Sequence, residues 1–73
     1  MKMIDRVLVL AAVHPDGTGT TSDVAEMLKI TENNVRVNAS FLRKAGHLSS
    51  PDGHGTLLPT VKGYRRAMKL LSA

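Results

Sequence analysis

This sequence has no cysteine and no tryptophan, and Phe41 and Tyr64 are its one phenylalanine and one tyrosine. Without cysteine there is no disulfide framework, no thiol nucleophile and no cysteine-based zinc site, which fits a reducing cytoplasm. So few aromatics leave the filling of the core to aliphatic side chains and to the four methionines. Long apolar runs are also absent. The longest, Val7 to Val13, is far short of the roughly 20 residues that span a bilayer. The opening MKMIDRVLVLAAVHP lacks the small-residue cleavage pattern of a secretory leader. A length of 73 residues allows a single domain over 1–73, with a core near the lower limit for folding alone.

Arrangements that would carry catalysis are missing as well. His14, His47 and His54, with Asp16 and Asp52, show no helical metal-ligand spacing. Ser22, Ser40, Ser49, Ser50 and Ser72 lie in no nucleophile-elbow context. Gly17-Thr18-Gly19 is followed by no Gly-Lys-Ser/Thr and preceded by no βαβ unit, so a phosphate loop is not expected. An enzyme, a metal site and a cofactor are therefore not anticipated.

What is present is an uneven charge. The net charge is +4. Residues 1–30 carry three basic against four acidic side chains, a net −1, and residues 31–73 carry seven against two, a net +5. Basic charge gathered in one part of a small chain is the footprint of a polyanion-binding face. A membrane surface is not expected as the partner, because no basic helix with bulky aromatics is present to insert.

The chain is organised around TTSDVAEMLKITENNVRVNASFLRKAGHL, residues 20–48. Thr20 with Asp23, or Asp23 with Glu26, can form a reciprocal cap at a helix start. Val24, Ala25 and Leu28 then share one face. Lys29-Ile30-Thr31 breaks the rhythm, with Ile30 as a plug between helices and Thr31 as a second cap. Val35, Ala39, Leu42 and Ala45 give the next helix an apolar stripe, and Gly46 stops it. Opposite that stripe stand Asn33, Arg36, Val37, Ser40 and Lys44. Asn suits adenine edges, Arg suits guanine or phosphate, and Val suits a thymine methyl.

Around this unit, residues 2–13 read as a first helix carrying Met3, Ile4, Val7, Leu8 and Ala11 on one side. Val9, Ala12 and Val13 fall off that side, which calls for a second partner, such as another copy of the chain. His14 to Thr20 reads as a linker, since Pro15 ends the helix and Asp16-Gly17 favours a turn. His47–Ser50 and Thr56–Pro59 read as two arms of a β-hairpin around Pro51-Asp52-Gly53-His54-Gly55. Thr60 can cap a last helix. Its apolar side is expected to be Val61, Tyr64, Ala67, Met68 and Leu71, with Lys62, Arg65, Arg66 and Lys69 as a basic stripe and Leu70 outside.

The order helix, helix-turn-helix, hairpin, helix resembles the winged helix-turn-helix transcription regulators, particularly the small MarR-like forms. TTSDVAEMLKITENNVRVNASFLRKAGHL is similar to their pattern of Thr-Ser-acidic-aliphatic-Ala, turn, and a helix ending Leu-x-x-x-Gly-x-aliphatic. LLPTVKGYRRA is similar to the segment after their wing. The resemblance spans residues 20–73 and implies a mainly α fold with a small β-hairpin. It implies a repressor-like, sequence-specific regulator of double-stranded DNA, with the helix over 31–45 in the major groove. Asn33, Asn34, Arg36, Val37 and Ser40 would approach bases, and Thr31 and Lys44 would lie nearer the backbone. Arg43 belongs to the same DNA-contact set. The wing, 50–56, offers His54 as its one possible cation, and Lys62, Arg65 and Arg66 would add phosphate contacts. His47 stands where the family often has an aliphatic residue. Phe41 is expected to be partly core. A homodimer through the N- and C-terminal helices would supply two half-sites. The competing reading is a winged-helix protein-interaction module, with Val9, Val13, Val37 and Leu70 as contact points.

Overall fold

The structure is a computed structural model that describes residues 1–14 and 19–72. Its elements are α1 (Met3–Val13), β1 (Gly19–Thr20), α2 (Thr21–Leu28), α3 (Glu32–Lys44), β2 (Thr56–Leu57) and α4 (Val61–Ser72). The turn read at Pro15 to Thr18 lies outside the described residues.

The helix starts follow their capping chemistry. At α2 the alternatives resolve in favour of Thr20 with Asp23. The Asp23 amide donates to Thr20 Oγ1 at 3.1 Å, and the Thr20 amide donates to Asp23 Oδ2 at 3.3 Å. The hydrogen bonding from Thr20 holds the Asp23 carboxyl below its ordinary range, and nearby His14 adds to this. His14 Nε2 lies 3.5 Å from the same carboxylate, tying the end of α1 to the start of α2. At α3 the Asn34 amide donates to Thr31 Oγ1 at 3.1 Å. At α4 Thr60 Oγ1 accepts from the Gly63 amide at 3.0 Å and donates to the Gly46 carbonyl at 2.7 Å. That one threonine therefore caps α4 and clips it to the end of α3.

The connections are tight. Lys29 closes α2 at φ 57°, in left-handed geometry, and the Ile30 amide reaches the Ala25 carbonyl at 3.1 Å. Ile30 is half-buried against the core, as a plug between the helices should be. Gly46, at φ 79°, ends α3, and the His47 amide donates to the Leu42 carbonyl at 2.8 Å.

A core of small and medium aliphatic residues lies where α1, α3 and α4 meet. Leu8, Leu57, Val7, Val24 and Val35 are its largest fully buried side chains. Neither Phe41 nor Tyr64 is in it, and Met1, Met27 and Met68 are exposed. The expectation that methionines fill the core is corrected: β-branched and small side chains let the helices approach closely enough to close it without them. Phe41, expected to be partly core, is exposed, because Ala39 and Leu42 already occupy the inward arc of α3.

Three further readings change. Gly19–Thr20, read as linker, is a strand: Gly19 pairs with Leu57 and Thr20 with Thr56, antiparallel. The two arms expected to form a hairpin meet at a single Leu48–Pro59 bridge and a 2.8 Å bond from the Ser49 amide to the Leu58 carbonyl. The two-stranded sheet is thus β1 with β2, which anchors the second arm to the start of α2. Val9, read as facing a partner copy, is buried within the chain, and Ala12 is half-buried. Asp5, one turn before Val9 on the same side of α1, meets the Arg66 guanidinium of α4 at 3.9 Å, so α4 is the second partner of α1. Val13 stays exposed.

The last helix is turned differently from its apolar rhythm. Gly63 and Ala67 are buried and Leu70 packs against the core, whereas Val61, Tyr64, Met68 and Leu71 are exposed. A β-carbon on Gly63 would overlap the backbone carbonyl of His47. At so close an approach only the small side of the helix can face inward.

Candidate functional site

On α3 the inward residues Val35, Ala39 and Leu42 fix the rotation of the helix, so its outward residues follow by geometry. Asn33, Arg36, Val37, Ser40 and Lys44 are all exposed. Val37 is 48 % and Phe41 is 54 % exposed, and the Lys44 ammonium lies 5.8 Å from the centre of the Phe41 ring. The outer surface of α3 is thus a polar and cationic row with an apolar ridge, none of it packed into the core.

Several candidates on this helix, Arg36 of the outward row among them, have local partners. Asn38 Nδ2 donates to the Asn34 side-chain oxygen and to its carbonyl, each at 2.9 Å, which orients the Asn34 carboxamide. Arg36 lies 3.9 Å from Glu32, with both side chains more than half exposed. Such a pair is weak and yields readily to a stronger anion. Thr31 is exposed at the start of the helix, with its oxygen accepting the capping bond. Arg43 is half-buried, and its Nε donates to the Ser49 carbonyl at 2.9 Å, fastening the 49–56 loop to α3.

Between that loop, α3 and the start of α2 lies an open cleft of about 550 Å³, lined by Arg36, Arg43 and His54 with Thr21, Ser22 and Gly55 among its walls. The loop itself is shaped by Asp52, whose Oδ1 accepts from the His54 amide at 2.8 Å and the Thr56 amide at 3.4 Å. Those bonds, the His54 amide first, hold the Asp52 carboxyl below its ordinary range. An aspartate that by charge alone would repel a phosphate is therefore an organiser of the loop. Thr21 reinforces this shape, since both its amide (2.7 Å) and its hydroxyl (3.2 Å) donate to the Gly55 carbonyl. The walls contributed by Thr21, Ser22 and Gly55 were not among the sequence candidates. Their signal was faint: a capped helix start and a Gly-rich loop say nothing about meeting each other across more than thirty residues.

The basic stripe of α4 stands elsewhere. His47, Lys62, Arg65, Arg66 and Lys69 line a separate groove of about 260 Å³, which shares no residue with the cleft. Lys62 Nζ donates to the Ala45 carbonyl at 2.9 Å, satisfying the C-terminus of α3, and Arg66 is drawn to Asp5. Two of the three α4 cations proposed as phosphate contacts therefore have intramolecular partners, and Arg65 lines the groove as an exposed cation. The structure brings Arg36, Arg43 and His54 together; it sets Lys62, Arg65 and Arg66 in a second group.

No protein-family model, curated protein or solved structure matches this chain. Among the described residues no helix is long and apolar enough to cross a membrane.

Proposed function

We propose that this chain is a winged helix-turn-helix protein that binds double-stranded DNA sequence-specifically, acting in the cytoplasm as a regulator of transcription. In this reading α2 and α3 are the helix-turn-helix, and residues 50–56 are the wing. The observation that carries it is the outward row Asn33, Arg36, Val37, Ser40 and Lys44, exposed on a helix whose rotation the core fixes, with Arg36 held only by a weak exposed pair to Glu32. Asn, Arg and Ser can pair with base edges in a major groove, Val37 can meet a thymine methyl, and Lys44 can neutralise phosphate. The cleft beside this row supports the reading further, because Arg36, Arg43 and His54 converge where a strand flanking the groove would run.

Binding is then an equilibrium. Cations displace counterions from phosphate and supply most of the affinity, while the outer row of α3 selects the sequence. The wing contributes through backbone amides and His54, since Asp52 is committed to the loop.

A second reading has its own observation. Phe41 and Val37 make an apolar ridge on the same surface, and exposed aromatic residues are enriched where proteins meet proteins. A winged module that grips another protein would use that ridge.

The test is a selection of the purified chain against a randomised duplex pool, followed by titration of the recovered sequence and of random duplex across salt. DNA readout gives enrichment of a defined sequence and affinity that falls steeply with salt. Failure to enrich, with equal weak affinity for all duplexes, would transfer the site to the protein-binding reading.

A further inference from the structure

Every helix but the last has an acidic residue in its first turn. Asp5 in α1, Asp23 in α2 and Glu32 in α3 each complement the positive end of a helix. The first turn of α4 carries Lys62 instead, and Val61–Ser72 contains no Asp or Glu at all. Lys62, Arg65, Arg66 and Lys69 stand three and four positions apart, so each has like-charged neighbours on the helix surface. Like charges at that spacing destabilise a helix. Among the described residues the one carboxylate paired with these cations is Asp5, 3.9 Å from Arg66. All four are exposed, and with His47 they line the groove of about 260 Å³. A cluster that the fold would be more stable without points to a ligand of opposite charge.

We infer that this groove is a docking site for an acidic segment of another protein, one with Asp or Glu along one side and apolar side chains beside them. Two features select that occupant. The first is charge: a row of carboxylates relieves the repulsion within α4. The second is what borders the cations. Arg65 lies four positions after Val61 and three before Met68, and these are 68 % and 47 % exposed. A partner seated over Arg65 therefore meets cations on one side and apolar side chains on the other.

Other polyanions match this surface less well. A duplex backbone is phosphate and sugar, and it leaves Val61 and Met68 without a counterpart. A lipid surface would take up those two residues, but Lys62 and Arg66 then point roughly a third of the way round the helix from it. The groove shares no residue with the cleft beside α3, so an acidic segment and a duplex on α3 do not compete for the same side chains.

Selection of the whole chain against a displayed library of randomised short peptides, without DNA, tests this. Acidic peptides that also carry apolar residues should be enriched. A recovered peptide should bind the free chain in fluorescence anisotropy, with an affinity that falls as salt is raised. Arg65→Glu should weaken it by roughly tenfold or more. The thermal midpoint of that variant should hold or rise, because its new carboxylate stands four positions before Lys69. Met68→Gln should weaken the peptide too, and replacing the peptide's acids by Asn and Gln should abolish binding. Recovery of no acidic peptide would overturn the inference, as would a peptide that binds the Arg65→Glu chain as tightly as the natural one. An equal loss of duplex affinity in Arg65→Glu would assign the groove to DNA, and displacement of the peptide by phosphatidylserine vesicles would assign it to lipid; either overturns the inference. The peptide measurements contain no duplex, so failure of DNA recognition at α3 leaves their outcome unchanged.

Discussion

The carbonyl oxygen of His47 occupies the space where a side chain on Gly63 would begin. The same oxygen accepts the Thr60 amide at 3.1 Å, so it is held in place while the first turn of α4 passes over it. Gly63→Ala should therefore destabilise the fold, although alanine favours helix by about 1 kcal/mol. The obstacle is backbone and cannot swing away. A net loss of about 3 kcal/mol, at the upper end of overpacking, is expected in urea denaturation. An unchanged or raised midpoint would show that α4 does not lie this close.

Phe41 and Leu42 are neighbours with opposite roles. Leu42 is buried, and Leu42→Ala should cost about 2–5 kcal/mol of stability. Phe41→Ala removes the larger side chain from an exposed position and should stay within about 0.5 kcal/mol. Any effect of Phe41→Ala should show in binding. Loss of a captured protein partner with DNA affinity intact would favour the protein-binding reading.

Thr20 closes a reciprocal cap with Asp23. Thr20→Ala should cost about 1 kcal/mol and let the Asp23 carboxyl return toward its ordinary range. Because the folded carboxyl is held low, its contribution is present at neutral pH and disappears as pH falls through that depressed value. Asp52 behaves with the same sign. Denaturation midpoints followed into acid should fall less steeply in Asp23→Asn than in the natural chain. Parallel curves would remove the cap from the list of acid-sensitive contacts.

Arg43 has a structural duty within the candidate surface. Arg43→Lys keeps the charge but loses the Nε bond to Ser49, at a cost of about 1 kcal/mol. Amide hydrogen exchange should speed up over 49–56 before it does in the helices. If the loop is unaffected, the 2.9 Å contact does not hold it.

Much of this was legible in the sequence because it is local chemistry. The caps at Thr20, Thr31 and Thr60, the stop at Gly46 and the inward Val35, Ala39 and Leu42 of α3 all follow from side chains within a few positions of one another. Ala45, read into the same stripe, is exposed, because α3 ends at Lys44 and Ala45 is its C-cap. β1 was not legible, since two residues in a Gly-rich stretch become a strand only by pairing with Thr56 and Leu57. The rotation of α4 was misread for a physical reason. Hydrophobic rhythm picks out the bulky row of Val61, Tyr64, Met68 and Leu71, but where a helix crosses a backbone closely, Gly63 and Ala67 are what fit. The outward row of α3 could be read in advance because it is the complement of a well-marked inward one. The convergence of Ser22, Arg36 and His54 on one cleft could not, because three separate segments supply it.

The most direct measurement compares Arg36→Ala with Lys44→Ala on the selected duplex and on random duplex. If α3 lies in the major groove, Arg36→Ala should cost about 1–3 kcal/mol on the selected sequence, relax preference at one base position and change random binding little. Lys44→Ala should weaken both duplexes alike and reduce the salt slope by about one. Equal losses for the two variants on both duplexes, or no loss for either, would contradict the assignment of α3 as the reading helix.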